Sequence, residues 1–209
     1  MNFYKLFLLS VNISLVFCLE PIQECKFLNA YSSYYLDDNG CCFSENVKCD
    51  ISQGHIVSID LRNSIKQDMR NKFSLEKFLN QFPSLKRINI SENELTGDFI
   101  IPNNTTLVEL NASNNSFNGK LVIPDNSEID SFFNDGECRL QILNISNNEF
   151  KGDLNIPDNS TLVMLDASNN HFNGYLNIGE NTELEELNVS NNEFKEEFLI
   201  PPHTNLKTL

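Results

Sequence analysis

The sequence predicts an α/β solenoid, a stack of short parallel β-strands and turns with helix confined near the N-terminus. Three observations carry that expectation. An eleven-residue pattern, apolar at positions one, four and six, Asn at nine and apolar at eleven, recurs five times and begins a sixth. Its starts at Leu85, Leu107, Leu140, Leu162, Leu184 and Leu206 fall 22, 33, 22, 22 and 22 residues apart. Asparagine is the compositional outlier, 32 of 209 residues, and most of it sits at fixed repeat positions, which marks repetition rather than low complexity.

Each repeat position has a physical reason. In the copy from Leu162, Leu165 and Ala167 point the same way from a strand because side chains alternate across it. A strand with one apolar face cannot stand alone, so successive copies stack into a parallel sheet. Position nine is Asn in every copy (Asn93, Asn115, Asn148, Asn170 and Asn192), where the strand has ended and the backbone turns. An inward amide there supplies partners for peptide groups that would otherwise be buried unpaired. Position eleven is Leu95, then Phe117, Phe150, Phe172 and Phe194, a predicted interior spine.

The second half of the 22-residue coil also repeats. Gly97, Gly119, Gly152 and Gly174 follow the spine position by two residues and are expected at a tight bend with positive φ; Glu196 replaces the glycine in the fifth copy. The pairs Phe99/Ile101, Leu121/Ile123, Leu154/Ile156, Leu176/Ile178 and Phe198/Ile200 read as a second short strand, ended by Pro102, Pro124, Pro157 and Pro201. The 33-residue interval is 22 plus an insertion near residues 128–139 that holds Phe132, Phe133 and Cys138. Residues 53–84 form a degenerate first repeat, in which Phe73, Leu75, Phe78, Leu79 and Phe82 predict a helix on the convex side.

Residues 1–19 read as a secretory signal: a short polar start with Lys5, then an apolar run interrupted by Asn12 and too short for a comfortable membrane span, with cleavage expected near Cys18 or Leu19. An uncleaved anchor is the alternative reading. After it, no stretch approaches a membrane span. Export makes disulfides the expected state of Cys25, Cys41, Cys42 and Cys49. No His lies among them and adjacent Cys41 and Cys42 suit one tetrahedral zinc poorly, so no metal is expected. Cys138 is the odd cysteine, free or paired with another chain. Residues 20–52 form a cap over the first coil's apolar cross-section, with Ile22, Phe27, Leu28, Tyr31 and Tyr35 at near-helical spacing.

The pattern Leu-x-x-Leu-x-Ala/Ile-x-x-Asn-x-Phe resembles the leucine-rich-repeat family. The Gly-x-Leu-x-Ile-Pro element is similar to that of its plant-type extracellular subclass, which usually runs a couple of residues longer. Cys41-Cys42, six residues, then Cys49 looks like that subclass's N-terminal cap, and Gly54 to Leu61 like the first strand after it; Ser44 stands within the gap where the family carries Trp. The resemblance covers roughly residues 25–209. It implies a right-handed solenoid and the pairs Cys25–Cys41 and Cys42–Cys49, whereas spacing alone leaves three connectivities open. It allows an inhibitor of secreted cell-wall hydrolases or a receptor-kinase ectodomain.

Function is sought on the surface. The formal charge of −14, or −15 without the signal, lacks the basic footprint of a nucleic-acid or anionic-lipid binder. His55, His171 and His203 are scattered and join no catalytic motif, and Asp37-Asp38-Asn39-Gly40 is a turn rather than a calcium loop, so neither catalytic residues nor cofactors are expected. The concave strands present ruled columns: Lys86, Val108, Gln141, Val163, Glu185; then Arg87, Glu109, Ile142, Met164, Glu186; with Asn89, Asn111, Asn144, Asp166, Asn188 and Ser91, Ser113, Ser146, Ser168, Ser190 beside them. Arg87, Glu109, Gln141, Ile142, Val163, Met164 and Glu186 form the candidate binding face for an extracellular protein, peptide or glycan, with the apolar centre as anchor. Asn-x-Ser/Thr acceptors occur at Asn89, Asn103, Asn104, Asn111, Asn114, Asn144, Asn159 and Asn188, with Asn104 and Asn159 on outer turns favoured; glycans on the concave column would block it. The alternatives are a glycosylated adhesive spacer at the cell surface and the outer part of a membrane receptor, with further repeats or an anchor beyond Leu209.

Overall fold

The computed structural model describes residues 21–34, 41–50, 52, 54–125, 140–158, 160–180, 182–195 and 205–208. The signal, the insertion near 128–139 with Cys138, Tyr35, the Asp37 turn, Asn159, Glu196, the Phe198/Ile200 pair and His203 lie outside the described residues.

Strands run in chain order as β1 (Val47–Cys49), β2 (Ile56–Asp60), β3 (Arg87–Asn89), β4 (Thr96–Ile100), β5 (Glu109–Asn111), β6 (Ser116–Val122), β7 (Ile142–Asn144), β8 (Lys151–Ile156), β9 (Met164–Asp166), β10 (His171–Ile178) and β11 (Glu186–Asn188). One seven-stranded sheet has the order β1-β2-β3-β5-β7-β9-β11, antiparallel only between β1 and β2. Every coil adds one strand in unbroken register: Leu110, Leu143, Leu165 and Leu187 are successive Cα partners. The fold is therefore a leucine-rich-repeat solenoid. Its interior is continuous, with Leu85, Leu107, Leu140, Leu162 and Leu184 all at most 4% exposed.

The turn after each strand is held by the position-nine amides. Asn148 donates from Nδ2 to Ala112 O (3.1 Å), Ile145 O (3.1 Å) and Ser146 O (3.2 Å), while its Oδ1 accepts Phe117 N–H (3.1 Å). Asn93, Asn115, Asn170 and Asn192 bond in the same way, each reaching its own coil and the preceding one. Position eight lies at positive φ in all five copies (Glu92, Asn114, Asn147, Asn169, Asn191), a conformation Asn tolerates better than most side chains. Phe117, Phe150, Phe172 and Phe194 stack with centroids 5.5–6.3 Å apart and planes within 13°.

On the far side of the coils, β4 pairs only with β6 and β8 only with β10. The coils therefore form two couples, and the insertion falls between them. Within each couple the glycines differ, which corrects the expectation of four bends at positive φ. Only Gly97 (φ 89°) and Gly152 (φ 81°) are left-handed. Gly119 and Gly174 are glycine because the neighbouring coil presses on them: a Cβ on Gly174 would stand 2.7 Å from Gly152 C and 2.8 Å from Asp153 N. Asp98 and Asp153 lock the couples by accepting Lys120 N–H and Tyr175 N–H, both at 2.7 Å, and Asn118 and Asn173 accept Gly97 N–H and Gly152 N–H in return.

The N-terminal end is closed by α1 (Pro21–Tyr31) and, on the degenerate repeat, by α2 (Gln67–Arg70) and α3 (Leu75–Leu79). Ser74 caps α3 by accepting Lys77 N–H, and Leu75, Phe78 and Leu79 bury one face. Phe27 and Tyr31 of α1 pack on Phe73, Phe78 and Phe82 with centroids 5.0–6.0 Å apart across this cluster. The disulfides are Cys25–Cys41 and Cys42–Cys49. Glu24, wholly buried, bonds His55 Nδ1 (2.7 Å) and accepts Ile56 N–H (2.8 Å), which ties α1 to the start of β2 and gives a buried carboxylate two donors. Among the described residues no helix is long and apolar enough to cross a membrane.

Candidate functional site

The exposed face of the seven-stranded sheet is the surface that the repeats rule most regularly. Arg87, Glu109, Ile142, Met164 and Glu186 are successive register partners in β3, β5, β7, β9 and β11 and form one row. Gln141 and Val163, the other two predicted face residues, belong to the flanking row just before the strands; Gln141 is exposed and Val163 half-buried. Ile142 and Met164, at 36% and 39% exposure, are the only large apolar side chains that the described part of this sheet leaves in the open. Between β7, β9 and β11 lies an open concavity of about 310 Å³, lined by Ile142, Met164, Asn144, Asp166, Glu186, Asn188 and Thr208.

The adjoining row, Asn89, Asn111, Asn144, Asp166 and Asn188, works locally. Each side chain offers Oδ1 to the N–H of the serine two residues on, at 2.9–3.2 Å. In four of the five the serine hydroxyl donates to the same oxygen, at 2.6–2.8 Å. These are Asx turns that end the strand. Ser91, Ser113, Ser146 and Ser168 are consequently buried, which corrects the expectation that the serines form a presented column. Asp166 performs the same task as its four Asn neighbours, so the row requires an acceptor oxygen, not an amide nitrogen. The Asn-x-Ser acceptors at Asn89, Asn111, Asn144 and Asn188 thus have a structural explanation independent of any glycan. Asn103 and Asn104 lie exposed on the outer turn, and Asn114 is exposed beside the sheet.

The row is charged at both ends. The side chains of Glu109, Glu186 and Arg87 have no hydrogen-bond or ion-pair partner among the described residues, whereas Glu185 is paired with Lys207 at 2.7 Å. Elsewhere Arg62 meets Glu92 at 2.7 Å, which holds its guanidinium above the ordinary value, and Arg70 meets Glu94 at 2.6 Å. Such exposed pairs contribute little to stability. The sulfurs of Cys25, Cys41 and Cys42 lie within 4.8 Å of one another, but the two disulfides consume them and leave no thiolate for a metal. His55 is committed to Glu24, and the exposed His171 side chain has no partner among the described residues.

Sequence reasoning missed the Glu24–His55 contact and the coupling of the coils. The first has no local signal, since 31 residues separate the partners. The second did: Gly-Asp at 97–98 and 152–153 alternates with Asn-Gly at 118–119 and 173–174.

No family model matches the chain. Over 102 residues, 49% of the chain, it is 29% identical to the receptor-like protein Cf-9 homolog of Solanum lycopersicum. Over 62 residues it is 37% identical to the receptor-like protein Cf-9 and 36% identical to the receptor-like protein 9DC1, both of Solanum pimpinellifolium. The chain spans only 7–12% of the length of these relatives. The similarity to these receptor-like proteins and the two disulfides at the N-terminal end both accord with the resemblance to plant-type leucine-rich repeats.

Proposed function

We propose that the chain is an extracellular, non-catalytic recognition module that binds a protein, peptide or glycan on the exposed face of its seven-stranded sheet. The observation that carries this reading is the exposed Ile142–Met164 pair, lining a concavity of about 310 Å³ together with Asn144, Asp166, Glu186, Asn188 and Thr208. Burying an apolar pair inside a polar surround is how a binding anchor works. Two disulfides and the apolar segment at residues 1–19 support an exported chain. The likeness to receptor-like proteins favours the reading in which this module is the outer part of a membrane receptor.

Glycopeptide mass spectrometry of protein secreted from a eukaryotic host tests the surface. The expected result is sugar on the outer turn at Asn104 and none on Asn111 or Asn144. Occupancy of both Asn111 and Asn144 would place bulky glycans beside the anchor pair and refute binding there. A glycosylated adhesive spacer would then be the better reading.

A further inference from the structure

We infer that the exposed sheet face docks an extended segment of a partner protein in which one apolar side chain stands between two basic ones, each two residues away. This deepens the recognition reading above and rests on it. Glu109, Ile142, Met164 and Glu186 occupy one row in four consecutive coils, so the carboxylates flank the apolar pair symmetrically. At about 4.8 Å per strand, three steps separate the two glutamates by about 14 Å. An extended chain rises about 3.3 Å per residue, so its same-face side chains at i−2 and i+2 lie about 13 Å apart. A segment laid across the strands therefore sets its two cations over Glu109 and Glu186, and its central side chain between Ile142 and Met164.

The chemistry of the rim selects the same occupant. Neither glutamate side chain is ion-paired with another described residue, and Asp166, whose Oδ1 alone is engaged, by Ser168, lines the same concavity. An anionic segment meets three carboxylates there. A second copy of this chain carries −14 itself and is repelled. Arg87 is the register partner of Glu109 one strand away, about 5 Å, but on the side turned from the apolar pair, and no ion pair joins the two side chains among the described residues.

The test uses the full chain and three fluorescent peptides read by anisotropy: Gly-Ser-Lys-Ser-Leu-Ser-Lys-Ser-Gly, the version with Glu for both Lys, and the version with Ser for Leu. The first should bind at least about fivefold tighter than either other, and weaken as NaCl rises from about 0.05 to about 0.5 M. The double variant Glu109→Gln/Glu186→Gln should erase the preference for Lys over Glu, and Ile142→Ser/Met164→Ser the preference for Leu over Ser. All four positions are surface sites, and circular dichroism verifies the fold of each variant. Equal binding of the three peptides, no binding of the first, or indifference to the glutamate variant overturns the inference. Its failure is separable from that of the underlying reading: glycans on Asn111 and Asn144 sink both, whereas bare asparagines with no charge preference sink this one alone.

Discussion

Replacing Asn115 by Ala should destabilise the solenoid more than replacing Asn148 by Ala, although the two occupy the same repeat position. Asn115 Oδ1 accepts two buried N–H groups, those of Asn93 and Leu95, both at 3.0 Å. Glu94, between them, lies at φ 56°, which lets both donors converge on one oxygen. Asn148 Oδ1 accepts only Phe117 N–H. The carbonyls served by either amide keep another donor: Ile90 O retains Asn93 Nδ2, Ile145 O retains Asn170 Nδ2, and Ala112 O is shared by both asparagines. Counting one orphaned N–H at about 1–3 kcal/mol, Asn148→Ala loses about that much and Asn115→Ala about twice it. The larger loss corresponds to a fall in Tm on the order of 10 °C for a chain of this size. Asn148→Asp is the decisive companion. It preserves the acceptor but turns the donor into a carboxylate oxygen aimed at three carbonyls, so it should be at least as damaging as Ala. Urea and thermal unfolding followed by circular dichroism read all three. Asn148→Asp melting with the parent, or Asn115→Ala no worse than Asn148→Ala, would refute the assignment of these amides.

Three further outcomes follow from the same geometry. Leu165→Ala, at a site 2% exposed, should lose about 2–5 kcal/mol through an interior cavity, measured by urea unfolding. Gly152→Ala carries only the strain of positive φ, about 1–2 kcal/mol, whereas Gly174→Ala drives a Cβ into the backbone of Gly152 and should lower Tm further; the reverse order would mean that the coils are not coupled as described. Burial raises the Tyr31 phenol above 10.0, so the folded state holds that proton more tightly than the unfolded one. The contribution of Tyr31 to stability should be level below about pH 10 and decline as the pH climbs past it, and Tyr31→Phe should flatten that part of an alkaline unfolding profile.

The candidate site was legible as a row and illegible as a surface. Alternation along each strand tells which residues face out, so Ile142 and Met164 are placed by pattern alone. The Asn column reads from sequence as a string of glycan acceptors, and only the paired bonds from Ser146 to Asn144 reveal it as strand-ending turns. Asp166 is the telling residue, because it breaks the acceptor motif and leaves the geometry intact. The serines were expected in the open for the same reason: a two-residue offset gives the strand face only while the chain remains a strand.

What the sequence by itself determined is the solenoid. A 22-residue period, a leading leucine and an invariant Asn leave one economical way to bury apolar side chains and satisfy the turn's peptide groups, since each coil meets the same demands as its neighbour. The coupling of the coils left a trace in the alternating Gly-Asp and Asn-Gly pairs, but only the tertiary structure decided what each glycine does in it. Gly97 and Gly119 occupy equivalent positions, yet one needs a left-handed backbone and the other needs room for Asp98 and the adjacent chain. Glycine is the same letter under both constraints, and contact between coils is what separates them.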